Sequence, residues 1–118
     1  MSAATGTADG LTLPLSPAIR KAYEELYDLT QVAIETTADG ALLQTLNDVQ
    51  QAIGAVISAD NRYRIEQNTA LFEALFKQIC DVNESLKKLK EQIAGIAKTT
   101  QLLADLTSQI QNLLSIIP

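Results

Sequence analysis

The chain has 118 residues, a formal charge of −5, one cysteine and neither histidine nor tryptophan. That length supports one core, not two that fold independently. The acidic balance excludes a phosphate-reading surface, which needs a basic stripe that releases counterions on contact, so no nucleic-acid partner is expected.

Residues 1–15 are small and polar, with Gly6, Gly10 and Pro14, and are expected to form a flexible tail because so little apolar surface does not offset the entropy of ordering. Ser16 before Pro17 reads as an N-cap followed by proline at the first helical position, where its missing N–H had no intrahelical partner to lose. From there Ile19, Ala22, Tyr23, Leu26 and Ala33 recur at helical spacing, and a first helix is expected over residues 17–36. Asp39 and Gly40 supply the turn.

A second helix is expected over 41–58, on the four-three stripe of Leu42, Leu46, Val49, Ile53 and Val56. Gly54 inside it costs about 1 kcal/mol relative to alanine unless something packs closely there. The cap-type run Ser58, Ala59, Asp60 and Asn61 then interrupts the pattern, and a break is expected there; a continuous helix with a four-residue stutter fits the same residues.

The strongest signal follows. Steps of three and four from Ile65 reach Asn68, Phe72, Leu75, Ile79, Val82, Leu86, Leu89, Ile93, Ile96, Thr100, Leu103, Thr107, Ile110, Leu114 and Ile117, and thirteen of these sixteen positions are apolar. One phase held so long predicts a single helix over 62–117, about 80 Å in length. Upstream helices of roughly 30 Å do not cover it. The exposed remainder would then need another chain, since a soluble monomer does not leave so long a strip of Leu and Ile open. The alternative is a compact four-helix bundle with a turn near residues 95–100.

Of the fourteen positions flanking the seam only Lys90 is charged, which favours a bundle of three or more helices over a two-stranded coiled coil. Beyond Lys98 the one charge is Asp105. The expected interface comprises Phe72, Leu75, Ile79, Val82, Leu86, Leu89, Ile93, Ile96, Leu103, Leu106, Ile110, Leu113, Leu114 and Ile117. Asn68, Thr100 and Thr107 are polar interruptions of the seam, read either as register-setting groups or as a looser stretch.

Chemistry is sparse. Without histidine there is no imidazole base and no His-containing metal motif, and no catalytic, cofactor-binding or metal-binding residue is assigned. The acids Glu24, Glu25, Asp28 and Glu35 read as a solvated helix face. Cys80 has no neighbouring base in sequence and reads as an inert thiol.

The expectation is therefore an all-α, non-enzymatic assembly protein: a single helical domain over 16–118, a structural or scaffold subunit that oligomerises with itself or with another helical protein through its C-terminal helix. A helical adaptor, chaperone or regulator that binds a helix of a different protein is the second reading. An amphipathic coat on a membrane ranks below both, because the polar face is poor in Lys and Arg. No stretch reads as a cleavable signal or a membrane span, which places the chain in the cytoplasm, with signal-less export compatible with the same features.

Overall fold

In the computed structural model, which describes residues 6–8, 11–96 and 99–117, the chain opens with a short antiparallel pair, β1 (Gly6–Ala8) and β2 (Leu11–Leu13). Four helices follow: α1 (Pro17–Thr36), α2 (Gly40–Glu66), α3 (Thr69–Ala94) and α4 (Gln101–Ile116). The protein is all-α in class, and α1 begins and ends where its apolar spacing places it. Ser16 accepts the Ile19 N–H, and Thr37 returns its own N–H to the Ala33 carbonyl. Asp39 caps α2 by accepting from Ala41 and Leu42.

Two breaks differ from the sequence expectation. The helix expected to end at residue 58 continues to Glu66, because Asp60 lies on the buried stripe rather than at a helix end. Leu42, Leu46, Val49, Ile53, Val56, Asp60 and Tyr63 form one uninterrupted four-three series. Ile65, from which the long seam was counted, is 82% exposed. Helix α2 stops one turn later at Gln67, a non-glycine residue in the left-handed region at φ 46°, whose N–H bonds to the Tyr63 carbonyl. Asn68 then caps α3 through the Leu71 N–H at 2.9 Å, so this polar member of the seam is a start signal.

The second break separates α3 from α4, so no single helix spans 62–117. Gly95 closes α3 by donating to the Glu91 and Gln92 carbonyls, and Thr100 caps α4 through the Leu103 N–H. Residues 97 and 98, inside the turn expected near 95–100, lie outside the described residues. Within α3 the buried residues keep the expected phase, Leu75, Ile79, Val82, Leu86, Leu89 and Ile93. In α4 they are Leu103, Leu106, Ile110 and Leu113, so Leu106 and Leu113 replace Thr107 and Leu114 on the inner face. Leu103 and Ile110 belong to both phases and Leu114 stands beside Leu113, which is what lets one phase be read across the gap. Thr107 returns its hydroxyl to the Leu103 carbonyl and fixes no cross-helix register.

The helices pack in chain order, α1 on α2, α2 on α3, α3 on α4, and α4 back on α1, with principal extents of 52 × 22 × 19 Å. Early residues of α1 meet late residues of α2: Arg20 bonds Asp60, a methyl at Gly54 would meet Tyr27, and Gln50 donates to Gln31. The two helices are therefore antiparallel. Across the next connection, Tyr63 and Phe72 meet edge to face with ring centroids 5.8 Å apart.

The tail expected over residues 1–15 is corrected for its C-terminal part. Leu11, Leu13 and Leu15 belong to the hydrophobic core, at 4%, 0% and 2% exposure. Average polarity hid this, because an extended segment needs only every second residue to be apolar. The first five residues, with Asp9 and Gly10, lie outside the described residues.

Gly54 admits a tyrosine ring rather than a backbone: a Cβ built there would stand 3.4 Å from Tyr27 Cε2, an ordinary contact. Since Tyr27 is 39% exposed and free to shift, Gly54→Ala is expected to recover most of the helical cost of glycine. Urea denaturation should show stability rising by about 0.5 to 1 kcal/mol.

Candidate functional site

The structure brings the fourteen expected interface residues together, but inside one chain. Ten of them, from Leu75 through Leu113, are buried at 9% exposure or less, and Phe72, Ile96, Leu114 and Ile117 pack half-buried against the same core. The covering surface is the chain's own α1 and α2. Two features that sequence reasoning did not assign stand out instead, one at each end of the α1–α2 pair.

The first is a cleft of about 430 Å³ where the end of α1, the start of α2 and the α3–α4 connection converge. Ala33, Leu42 and Leu103 form its floor, and half-buried Ile96 and Leu102 its apolar walls. Its polar rim is already engaged with helix ends. Thr36 donates to the Val32 carbonyl, Asp39 caps α2, and Thr100 caps α4. Among the described residues the cleft therefore offers apolar side-chain contact and no poised acid, base or nucleophile. Only Leu102, one of the doubled leucines that the single-phase reading left off the seam, hinted at it in sequence.

The second is the carboxylate of Asp60, fully buried on α2. Its Oδ1 accepts the Leu15 N–H at 2.8 Å, while Oδ2 accepts from Arg20 Nη1 at 2.8 Å and Arg64 Nε at 2.9 Å. Arg64 also donates through Nη2 to the Leu15 carbonyl, and Arg20 reaches Asn61 and Glu24. A buried carboxylate survives only with such pairing. Two arginines at i+4 on α2 and across on α1 are the sequence signal that was available and not used.

Several of the remaining titratable groups among the described residues lie at the surface. Glu24, Glu25, Asp28 and Glu35 are exposed, with Arg20 and Lys21 pairing the first two. Lys77 bonds forward to Asp81 rather than back to Glu73. Cys80 is a free, exposed thiol. Among the described residues no group of three or more His, Cys, Asp or Glu is placed to hold a metal ion, and no helix is long and apolar enough to cross a membrane.

Tyr23 is a perturbed group. Its hydroxyl crosses the core from α1 and donates to Asn83 Oδ1 on α3 at 2.9 Å. Burial, and secondarily the neighbouring Cys80 thiol, push its pKa well above the ordinary phenol range. No protein-family model matches this chain, and no curated protein or solved structure matches it.

Because the folded-state value is raised, the unfolded phenol loses its proton first as pH rises through about 10, and the unfolded state then binds fewer protons. The contribution of Tyr23 is complete below that pH and is lost above it. Tyr23→Phe is expected to cost about 1 kcal/mol at pH 7 through the lost hydrogen bond. It should also flatten the alkaline fall in stability, read by urea denaturation between about pH 9 and 11, one unit either side of the free phenol value.

Proposed function

We propose that this chain is a non-enzymatic helical binding module, a compact four-helix bundle that engages a helix of another protein through the apolar cleft at the α1–α2 turn. The observation that carries the reading is the cleft itself: apolar floor and walls, with the rim's polar groups committed to capping. A volume of about 430 Å³ sits at the low end of ligand sites, which run from roughly 300 to 1,000 Å³. It suits a few aliphatic side chains projected at i, i+3 or i+4 from an amphipathic helix.

Self-assembly through the heptad seam, the first reading of the sequence, draws less support from this geometry. Pairing two copies along that seam would require unpacking side chains that are already buried against the chain's own helices. Each aliphatic so uncovered gives up about 1.5 to 3 kcal/mol of transfer energy. No nucleic-acid or membrane partner enters the proposal, and on α3 the exposed Lys77 and Lys87 pair within the helix with Asp81 and Glu84.

Light scattering at micromolar concentration is expected to return the monomer mass of 12.7 kDa. Small-angle scattering should give a maximum dimension near the 52 Å long axis, well below the roughly 80 Å of one unbroken helix. A stable oligomer of elongated shape would restore the assembly reading.

A designed amphipathic helical peptide with leucines at i, i+4 and i+7 serves as the binding probe. In an NMR titration its effects should concentrate on Leu42, Ile96 and Leu102. Leu102→Asp, at a half-buried position, should weaken binding about tenfold or more while the helical spectrum is kept. Shifts spread over α2 and α3 that ignore Leu102→Asp would refute the cleft as the site.

A further inference from the structure

Residues 11–15 sit on the bundle as a peptide ligand sits in a groove. Leu11, Leu13 and Leu15 are buried whereas Thr12 is exposed and Pro14 half-buried, so alternate side chains point inward with the period of an extended strand. The last residue of the segment, Leu15, is read at both of its main-chain polar atoms, its N–H by Asp60 Oδ1 and its carbonyl by Arg64 Nη2. That pattern of main-chain bonds combined with pockets for every second side chain is how extended peptides are recognised.

Position 60 is what makes the arrangement specific. It belongs to the apolar stripe of α2, and an aliphatic residue there would have continued the core without the desolvation cost of a carboxylate. The aspartate instead selects one backbone amide at one register, and Arg20 and Arg64 hold it in place. The junction with α1 is equally telling. Ser16 caps α1 through the Ile19 N–H with its own side chain, so the helix end stays satisfied whether or not the preceding segment is docked.

We propose that the surface around Asp60 is a recognition groove for an extended Leu-x-Leu-x-Leu segment, filled in cis by residues 11–15 as a detachable strap, while the four helices stay folded when it leaves. The occupant of the groove is the chain's own segment, held by the high effective concentration of a tethered ligand. A free peptide of the same chemistry takes its place when the strap is displaced. This site lies at the end of α1 opposite the cleft and does not rest on the function proposed above.

Native-state hydrogen exchange on the intact wild-type protein tests detachment directly. The Leu15 amide is expected to exchange at least about 100-fold faster than core amides of α2 and α3 such as Val49 and Leu86, by an opening that leaves the helices closed. Equal rates, with Leu15 exchanging by global unfolding, would overturn the proposal. Recognition is tested in the full chain carrying Leu13→Asp, with a fluorescent peptide of residues 8–18 as the probe. That peptide should bind the variant at least about tenfold more tightly than it binds wild type, whose groove is filled in cis. Adding Asp60→Asn should weaken binding about tenfold, and a peptide that itself carries the Leu13→Asp change should not bind. A folded Leu13→Asp protein that ignores the peptide refutes the groove; should that variant lose its helical spectrum, the exchange rates on wild type decide.

Discussion

An apolar stripe that runs for most of a chain must be covered by something, and the connection between α3 and α4 determines what covers it. With that connection open, the stripe of Leu and Ile from residue 75 to 113 would extend past the reach of α1 and α2. Closed, it turns α4 back beside α1, so that four helices share one core. The strongest apolar signal in the sequence is thereby spent inside the molecule. Both candidate sites lie at the margins of that core: a cleft where the helix ends fail to fill the space between them, and the surface covered by the N-terminal leucines.

Among the described residues, two polar ones buried in all that aliphatic surface divide their work differently. Thr30 returns its hydroxyl to the Tyr27 carbonyl of its own helix, a local solution that ties nothing together. Asp60 joins three parts of the chain, the segment before α1, α1 itself and α2, through one carboxylate. The diagonal bond from Tyr23 to Asn83 adds a fourth element, α3, at a single point. Hydrophobic packing brings the helices together without strong directional preference, and these few polar contacts set which residues face one another.

All-α class, the limits of α1, the seam phase of α3 and the cap at Ser16 are legible in the sequence because each is a local property. The spacing of Leu75, Ile79, Val82, Leu86, Leu89 and Ile93 needs no knowledge of the partner helix. The break after Glu66 was not legible, because Asp60 and Asn61 resemble cap residues until the arginines that pair with Asp60 are placed in space. The break before Gln101 was legible only as the alternative turn near 95–100, because Leu103 and Ile110 serve two phases at once and Leu113 and Leu114 offer a leucine to each. The strap was hidden because three leucines among threonine, proline and serine average out as polar. The cleft shares Ile96 and Leu103 with the residues singled out from the pattern, whereas the groove at Asp60 lies outside them, and both form where the burial marked by the heptad seam ends.

Each of the four helices opens on its own side-chain cap, Ser16, Asp39, Asn68 and Thr100, each accepting an N–H two or three residues ahead. The start of every helix is therefore written beside it rather than inherited from the helix before. In one continuous helix, a residue gained or lost turns everything downstream by about 100° and carries the apolar face away from its partner. Here the same event in a connection is absorbed between two caps, and both neighbouring faces keep their aim. Length variation among descendants of this chain should accordingly collect in the three connections, at residues 37–39, 67–68 and 95–100, while the helices between them hold their residue count.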